Sequence, residues 1–470
     1  MDRNNSLSRN TFLLTLGTFL NKGLQFLVIP FFSRWLTTEE YGEFDLLYAY
    51  VSLLIPVITL STQEAMFRFC VDETDSRRKE TYIANTCIIQ SVNYLVAVLV
   101  LFLFRNRVGD TVYFAFCLYL FAELFSVFLR GYLRAIKKLN IYSISMSIST
   151  VFMAVFVTLF VYIMHLGIVG MLLGYAVGTL IGDMIICYLS RFYRMLPLGG
   201  IKLGRIRELV VYSAPLIPND VAWWIMNASD RQIINIFFGS TANGIYAIAH
   251  KIPTLCSIIF GMFSVSWQQE VVGRIKEENR NEYFNSILNA LLECLFTVCA
   301  GLLAGSFIIY YFILDSKYFD AILYSPILIF SAGILAVSQF LGGIQIALKQ
   351  PKQNGFSTVT GAIVNVMLHI GLYKHIGLYA ASVSTLVANM IILFLRIVLL
   401  RNEFQICIRK RMILICGGFL YFFAASYFHS EMVFNWINLL ASVFFFLFVN
   451  HNFIKKHINT TYKIIKCRSK

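Results

Sequence analysis

Apolar residues run in stretches of about twenty from Phe12 almost to the carboxyl end, separated by short polar connections. Each stretch is long enough to cross a bilayer core as a helix rising about 1.5 Å per residue. The expected spans are 12–33, 44–64, 82–104, 112–129, 141–164, 168–190, 209–238, 244–269, 284–312, 322–345, 356–374, 377–395, 412–428 and 434–451. Leu, Ile, Phe, Val and Ala follow one another within them, without the two-residue alternation of barrel strands. The pattern predicts an all-α polytopic membrane protein with about 14 transmembrane helices.

Composition agrees: 58% of residues are hydrophobic, 14% are charged and the mean hydropathy is +0.70. A soluble domain carries about 25% charged residues. The placement of charge then orients the chain. Lys and Arg number 31 in the tails and even-numbered connections, against five in the odd-numbered ones: Arg34, Arg105, Arg107, Lys317 and Lys374. Positive charge stays on the cytoplasmic side during insertion, so both termini are expected inside. The net charge of +14 then describes a basic cytoplasmic face beside anionic lipid, with six basic residues after Asn452 as its tail, and needs no nucleic acid. Met1–Asn10 with the first apolar stretch reads as a retained signal anchor. Ten cysteines without a CxxC pair, and none in an outer connection, argue against disulfides and metal sites.

The longest inner connection, 191–208, contains Pro197, Gly199, Gly200 and five basic residues, as a linker between halves would. Short echoes support that division. Phe128-Leu129-Arg130-Gly131, with Ala135 and Lys137, reappears at an offset of 212 as Phe340-Leu341-Gly342-Gly343, with Ala347 and Lys349. Tyr41-Gly42-Glu43-Phe44 is echoed by Asn243-Gly244-Ile245-Tyr246, and His165-Leu166-Gly167 by His375-Ile376-Gly377 at an offset of 210. Two pseudo-symmetric six-helix lobes are expected, 1–190 and 209–400, with two further helices and a basic tail in 401–470. A parallel repeat of this kind encloses a cavity that opens alternately to either side, which favours transport.

A charge at mid-membrane costs about 2.5–3.5 kcal/mol on insertion scales, so each one must face a partner or water. Lys22, beside Asn21, reads either as a cavity-lining cation or as half of an ion pair with an acid of span 2 or 7. In span 7, Asp220, Trp224, Asn227 and Arg231 share one helical stripe, and Pro215 and Pro218 predict a bend at its inner end. Asp230 and Arg231 pair with each other, reach headgroups or face the cavity. Tyr119, Glu123, Ser126 and Arg130 form a stripe in span 4; Thr358, Asn365 and His369 form one in span 11. Lys251 lies in the outer third of span 8. Asp183 and Glu293 read as structural pairs with neighbouring helices, and the Ser143, Ser147, Thr150 stripe as helix packing. No GxGxxG, Walker A, HExxH or GxSxG motif is present, so neither a cofactor nor ATP hydrolysis by this chain is expected.

Ser8-Arg9-Asn10, then Arg34-Trp35-Leu36-Thr37-Thr38-Glu39-Glu40-Tyr41-Gly42, and Ser229-Asp230-Arg231-Gln232-Ile233-Ile234 followed by Gly239 and Gly244-Ile245-Tyr246, resemble the Wzx-type polysaccharide-repeat flippases. That family shares a superfamily with the lipid II flippase and the MATE multidrug exporters. The resemblance implies translocation of undecaprenyl-pyrophosphate-linked oligosaccharide by alternating access across the bacterial cytoplasmic membrane, for O-antigen, capsule or exopolysaccharide. It implies no enzyme activity, and polysaccharide polymerase or assembly proteins as partners. Lys22, Arg231 and Lys251 would then meet pyrophosphate. Asn21, Trp223, Trp224, Asn227 and Asn365 would line the sugar path, and Glu123, Asp220 and Asp230 are candidates for ion coupling. Helices 13 and 14 would form a groove for the lipid tail. The competing readings are a MATE-like ion-coupled antiporter, which predicts a net acidic cavity, and a membrane polymerase or ligase, which needs a larger outer loop than the roughly ten residues available here.

Overall fold

The structure, a computed structural model, describes Gly23 and residues 28–136, 138–192, 202–428, 431–451 and 455. Most of the first expected span, with Asn21 and Lys22, lies outside these residues; its end is helical over 28–35 (α1). The long helices that follow are α2 (Thr38–Thr59), α3 (Ser76–Phe102), α4 (Asp110–Ala135), α5 (Leu139–Val157), α6 (Gly167–Ser190), α7 (Ile217–Ala249), α8 (Lys251–Arg274), α9 (Arg280–Ile308), α10 (Ser325–Ala347), α11 (Pro351–Ile376), α12 (Tyr379–Leu400), α13 (Met412–Ala425) and α14 (Met432–Val449). Among the described residues ten helices are long and apolar enough to cross a membrane. A further pair, Ala228–Ala249 and Lys251–Arg274, passes together with a 41° bend, and α13 is a shorter apolar helix. The protein is a multi-pass α-helical membrane protein.

Local chemistry explains the boundaries. Thr37 and Glu40 form a reciprocal capping box that starts α2. The prolines of span 7 act as expected: the helix Leu203–Ser213 ends in a 3₁₀ turn, Ala214–Leu216, before α7 begins. Gly239, at φ 82° and ψ 175°, then breaks the helical path inside α7. Some basic residues expected in connections are helical instead. Arg134 lies in α4, and Arg396, which reads as part of the connection after span 12, lies in α12 with 4% of its surface exposed. These helices overrun the apolar stretch because their last turns find polar partners inside the protein.

The chain divides into two compact units, Met1–Gly244 and Ile245–Lys470. In the first, α4 packs on α6 and α6 on α5. The second contact is a stripe of small residues: Gly170, Gly174, Gly178 and Gly182 of α6 leave no room for a Cβ against Phe160, Val157, Met153 and Ser149. Bare backbone at four-residue spacing lets two membrane helices approach closely, where dispersion is the main attraction. At the start of α2, a Cβ on Gly42 would run into the Ser240 carbonyl oxygen and lie 2.7 Å from the Gly244 nitrogen, and Asn243 donates to the Gly42 carbonyl at 2.7 Å.

In the second unit α10, α11 and α12 pack together, while α13 and α14 both pack on α9. The segment between α12 and α13 is strapped along α9. Asn285 donates to the Gln405 carbonyl (2.8 Å) and accepts from the Cys407 amide (2.7 Å). Asn289 repeats the arrangement one turn on, with the Cys407 carbonyl (2.8 Å) and the Arg409 amide (2.9 Å). Arg280 and Glu403 (3.3 Å) close one end of the strap and Arg409 and Glu293 (3.7 Å) the other, so Glu293 is paired, but with the connecting segment and not with the neighbouring helix expected.

Candidate functional site

In the first unit the polar stripe of α7 meets α2. Arg231 Nε donates to Asp45 Oδ2 at 2.5 Å, with side-chain exposures of 17% and 6%. Trp224 Nε1 donates to the Ala49 carbonyl (2.7 Å), Tyr50 donates to Gln232, and Ser61 Oγ donates to Asp220 Oδ2 (2.9 Å). Ser61 is aimed by an unusual turn: Leu60 and Ser61 both have φ of 49°, a left-handed conformation that costs a residue with a Cβ about 1–3 kcal/mol. Asp230 is buried and Trp223 is exposed. The side chain of Asn227, like those of Asn21 and Lys22, lies outside the described residues.

A second polar group joins α4 to α6. Arg130 Nη1 donates to Ser126 Oγ (2.7 Å), and its Nη2 lies 3.8 Å from Glu123 Oε2. Thr179 Oγ1 donates to the other Glu123 oxygen at 3.4 Å. Asp183, two helical turns after Tyr175 on α6, is 1% exposed. Neither of its oxygens meets a hydrogen-bond partner at normal geometry among the described residues, although the Ser126 hydroxyl lies within reach of a weak one and Arg130 and Glu123 act on it through their charge. The structural pair expected for Asp183 is therefore a loose electrostatic contact. Between the two groups stands an aromatic cluster: Phe44 and Tyr48 of α2, Tyr119 of α4 and Tyr175 of α6, with ring centroids 4.9–6.5 Å apart.

In the second unit, Lys251 is the first residue of α8 and is half-buried. Asn365 and His369 are buried on α11, and Asn365 Oδ1 accepts no hydrogen bond among the described residues. Arg231, Trp224 and Asp220 are thus gathered on one seam, with Glu123 in the neighbouring group, while Lys251 and Asn365 belong to the other unit. The chief omissions from the sequence reading are Asp45, Tyr48 and Tyr175. An aspartate at the first turn of a span reads as interfacial, and only tertiary packing sets it against Arg231. Among the described residues no group of three or more His, Cys, Asp or Glu side chains is arranged to hold a metal ion.

This arrangement can hold charge and hydrogen-bonding groups inside an apolar bundle, and comparison shows which proteins share its frame. The family described as polysaccharide biosynthesis protein matches residues 7–267. The chain is 25% identical over 398 residues, 81% of its length and 80% of the relative's, to the probable low-salt glycan biosynthesis flippase Agl15 of Haloferax volcanii. Its structure is similar to that of the lipid II flippase MurJ in an inward closed conformation, with a TM-score of 0.74 and 15% identity over 95% of this chain and 100% of that one. It is also similar to a multidrug-resistance MATE transporter of the MOP superfamily in an inward-facing conformation, with a TM-score of 0.61 and 12% identity over 89% and 96% of the two chains. The chain belongs to the polysaccharide biosynthesis protein family and is built on the fold that the lipid II flippase and the MATE transporters share.

Proposed function

We propose that this protein is a flippase for a lipid-linked glycan, carrying its polar head from the cytoplasmic to the outer leaflet by alternating access. The observation that carries the reading is a set of buried polar and charged groups on α2, α4, α6 and α7 of a membrane fold belonging to a polysaccharide-biosynthesis family. Such groups are costly to insert and persist where they pair or meet a polar cargo. The name of the Haloferax relative, a glycan biosynthesis flippase, supports the same class. We take the substrate to be an undecaprenyl-pyrophosphate-linked oligosaccharide and the membrane to be the bacterial cytoplasmic membrane, with both termini inside. The 31-to-five distribution of basic residues supports that orientation.

In this mechanism Lys22, Arg231 and Lys251 attract the anionic head, while Asn21, Trp223, Trp224, Asn227 and Asn365 offer amide and ring surfaces to the sugars. The lipid tail stays in hydrocarbon, so only the head requires a polar path. Glu123, Asp220 and Asp230, joined now by Asp183, are the acids that would couple an ion to the cycle. Polymerase and assembly proteins would receive the product. The test is deletion of the gene followed by labelling of lipid-linked saccharide on each face of the membrane. Loss of outer-face label, restored by the cloned gene, is expected; unchanged label refutes the reading.

A further inference from the structure

The two copies of the Phe-Leu motif differ at one position: Arg130 on α4 has Gly342 on α10 as its counterpart. The structure returns the missing guanidinium from another helix. Arg396 of α12 places Nη1 2.7 Å from where a Cβ on Gly342 would lie, so it fills the space that a side chain at 342 would enter. It also reaches the matching partner. Arg130 Nη1 donates to Ser126 Oγ at 2.7 Å, and Arg396 Nη1 donates at 2.6 Å to the carbonyl of Ser338, the counterpart of Ser126 at the same offset. The exchange is reciprocal. At the offset of the His-Leu-Gly echo, Arg396 corresponds to Ile186 of α6, which packs in the same core cluster as Phe128 and Leu129.

The surroundings differ in charge. Arg130 has Glu123 at 3.8 Å and Asp183 nearby, whereas the corresponding positions in the second copy are Leu335 and Leu393. Arg396 instead donates from Nε to Ser357 Oγ (3.2 Å) and from Nη2 to Thr358 Oγ1 (3.1 Å), with no ion pair among the described residues. One buried side chain therefore bridges α10, α11 and α12 as a cation without a carboxylate. Two of its three acceptors keep a partner without it, because Ser357 and Thr358 each donate to the Asn354 carbonyl, at 2.8 and 3.0 Å. A guanidinium that the fold could do without is costly to keep buried, since replacing buried charge by apolar volume is often neutral or stabilising.

We propose that Arg396 is a positioning residue of the transport cycle: the guanidinium beside the repeated serine makes α10, α11 and α12 move as one body, and its location rather than its parent helix is what the repeat requires. This rests on the flippase reading. The test compares Arg396→Met, Arg396→Lys and the double variant Gly342→Arg/Arg396→Ile, which rebuilds the first-copy arrangement in the second. Each is purified to measure its melting temperature and expressed in the deletion strain to measure outer-face glycan.

Arg396→Met is expected to melt like the wild type and to lose about tenfold or more in export, the size of one lost charge-assisted hydrogen bond. Arg396→Lys, which keeps the charge but not the fork, is expected to fall between them, and the double variant to recover export to within about threefold of wild type, a residual cost of under about 1 kcal/mol of repacking. Wild-type export by Arg396→Met overturns the inference. So does a loss of export that only follows a fall in melting temperature across all three variants. If Arg396→Met does not fold, Arg396→Lys decides: normal melting with reduced export supports the inference, and full export overturns it. Failure of the wild-type gene itself to restore outer-face glycan would instead refute the flippase reading.

Discussion

Arg231 donates to Asp45 across the α2–α7 seam at 2.5 Å, so the arginine expected to meet pyrophosphate is held by a carboxylate in this conformation. Removing one partner of a buried pair strands the other, at a cost of about 3–5 kcal/mol. Asp45→Asn and Arg231→Gln should each lower the melting temperature, and the charge-swapped double variant should recover most of it. Export separates the roles: if Arg231 also binds the cargo, the swapped variant melts normally and still fails to export.

Gly42 predicts a steric effect. A methyl group there meets the Ser240 carbonyl and the Gly244 amide, both backbone and unable to rotate away. Gly42→Ala should destabilise the protein by about 1–3 kcal/mol, the usual range for overpacking. Gly301, inside α9 where an added methyl group would have nothing within 4 Å, serves as the control, and Gly301→Ala should keep or raise the melting temperature.

Asp183 makes a different kind of prediction. Its two oxygens meet no hydrogen-bond partner at normal geometry among the described residues, so the fold gains little from its charge. Asp183→Asn should melt at or above the wild-type temperature. If the acid carries the coupling ion, export by the variant should stop responding to the proton gradient, and export that still collapses with the gradient removes Asp183 from that role.

Outside the membrane-spanning segments, Glu208 forms a knot with Arg205 (2.6 Å) and with the Tyr82 hydroxyl, which donates to it at 2.9 Å. Arg205, and then Tyr82, hold the Glu208 carboxyl below its ordinary value of 4.5, against some desolvation. A carboxylate depressed in the folded state contributes stability above its unfolded pKa and loses it as pH falls through its folded pKa. The knot should therefore be intact at neutral pH and weaken only below the usual glutamate range. Glu208→Gln should lower the plateau near pH 7 toward the wild-type value at acid pH and so flatten that acid limb of a melting-temperature profile.

Hydrophobic run length makes the described spans legible in the sequence because the bilayer imposes a length on each helix. Pro215 and Pro218 announce the break before α7 because proline lacks the amide a helix needs. Asp45 is invisible at that level because no periodicity links α2 to a residue 186 positions away. Arg396 reads as part of a connection because a charged residue after an apolar run usually marks the end of a span. Its serine and threonine partners, supplied by other helices, allow it to stay inside.

The strap on α9 sets two rhythms against each other. Asn285 and Asn289 recur every four residues on a helix, whereas the backbone they read at 405, 407 and 409 recurs every two along an extended chain. One inserted residue in the strap would turn the carbonyls and amides that face α9 to the opposite side and leave both asparagines' bonds unmade. Two would restore every bond with the side chains advanced by one step. The link that carries α13 and α14 thus obeys a rule of parity: it tolerates changes in length by twos and resists them by ones.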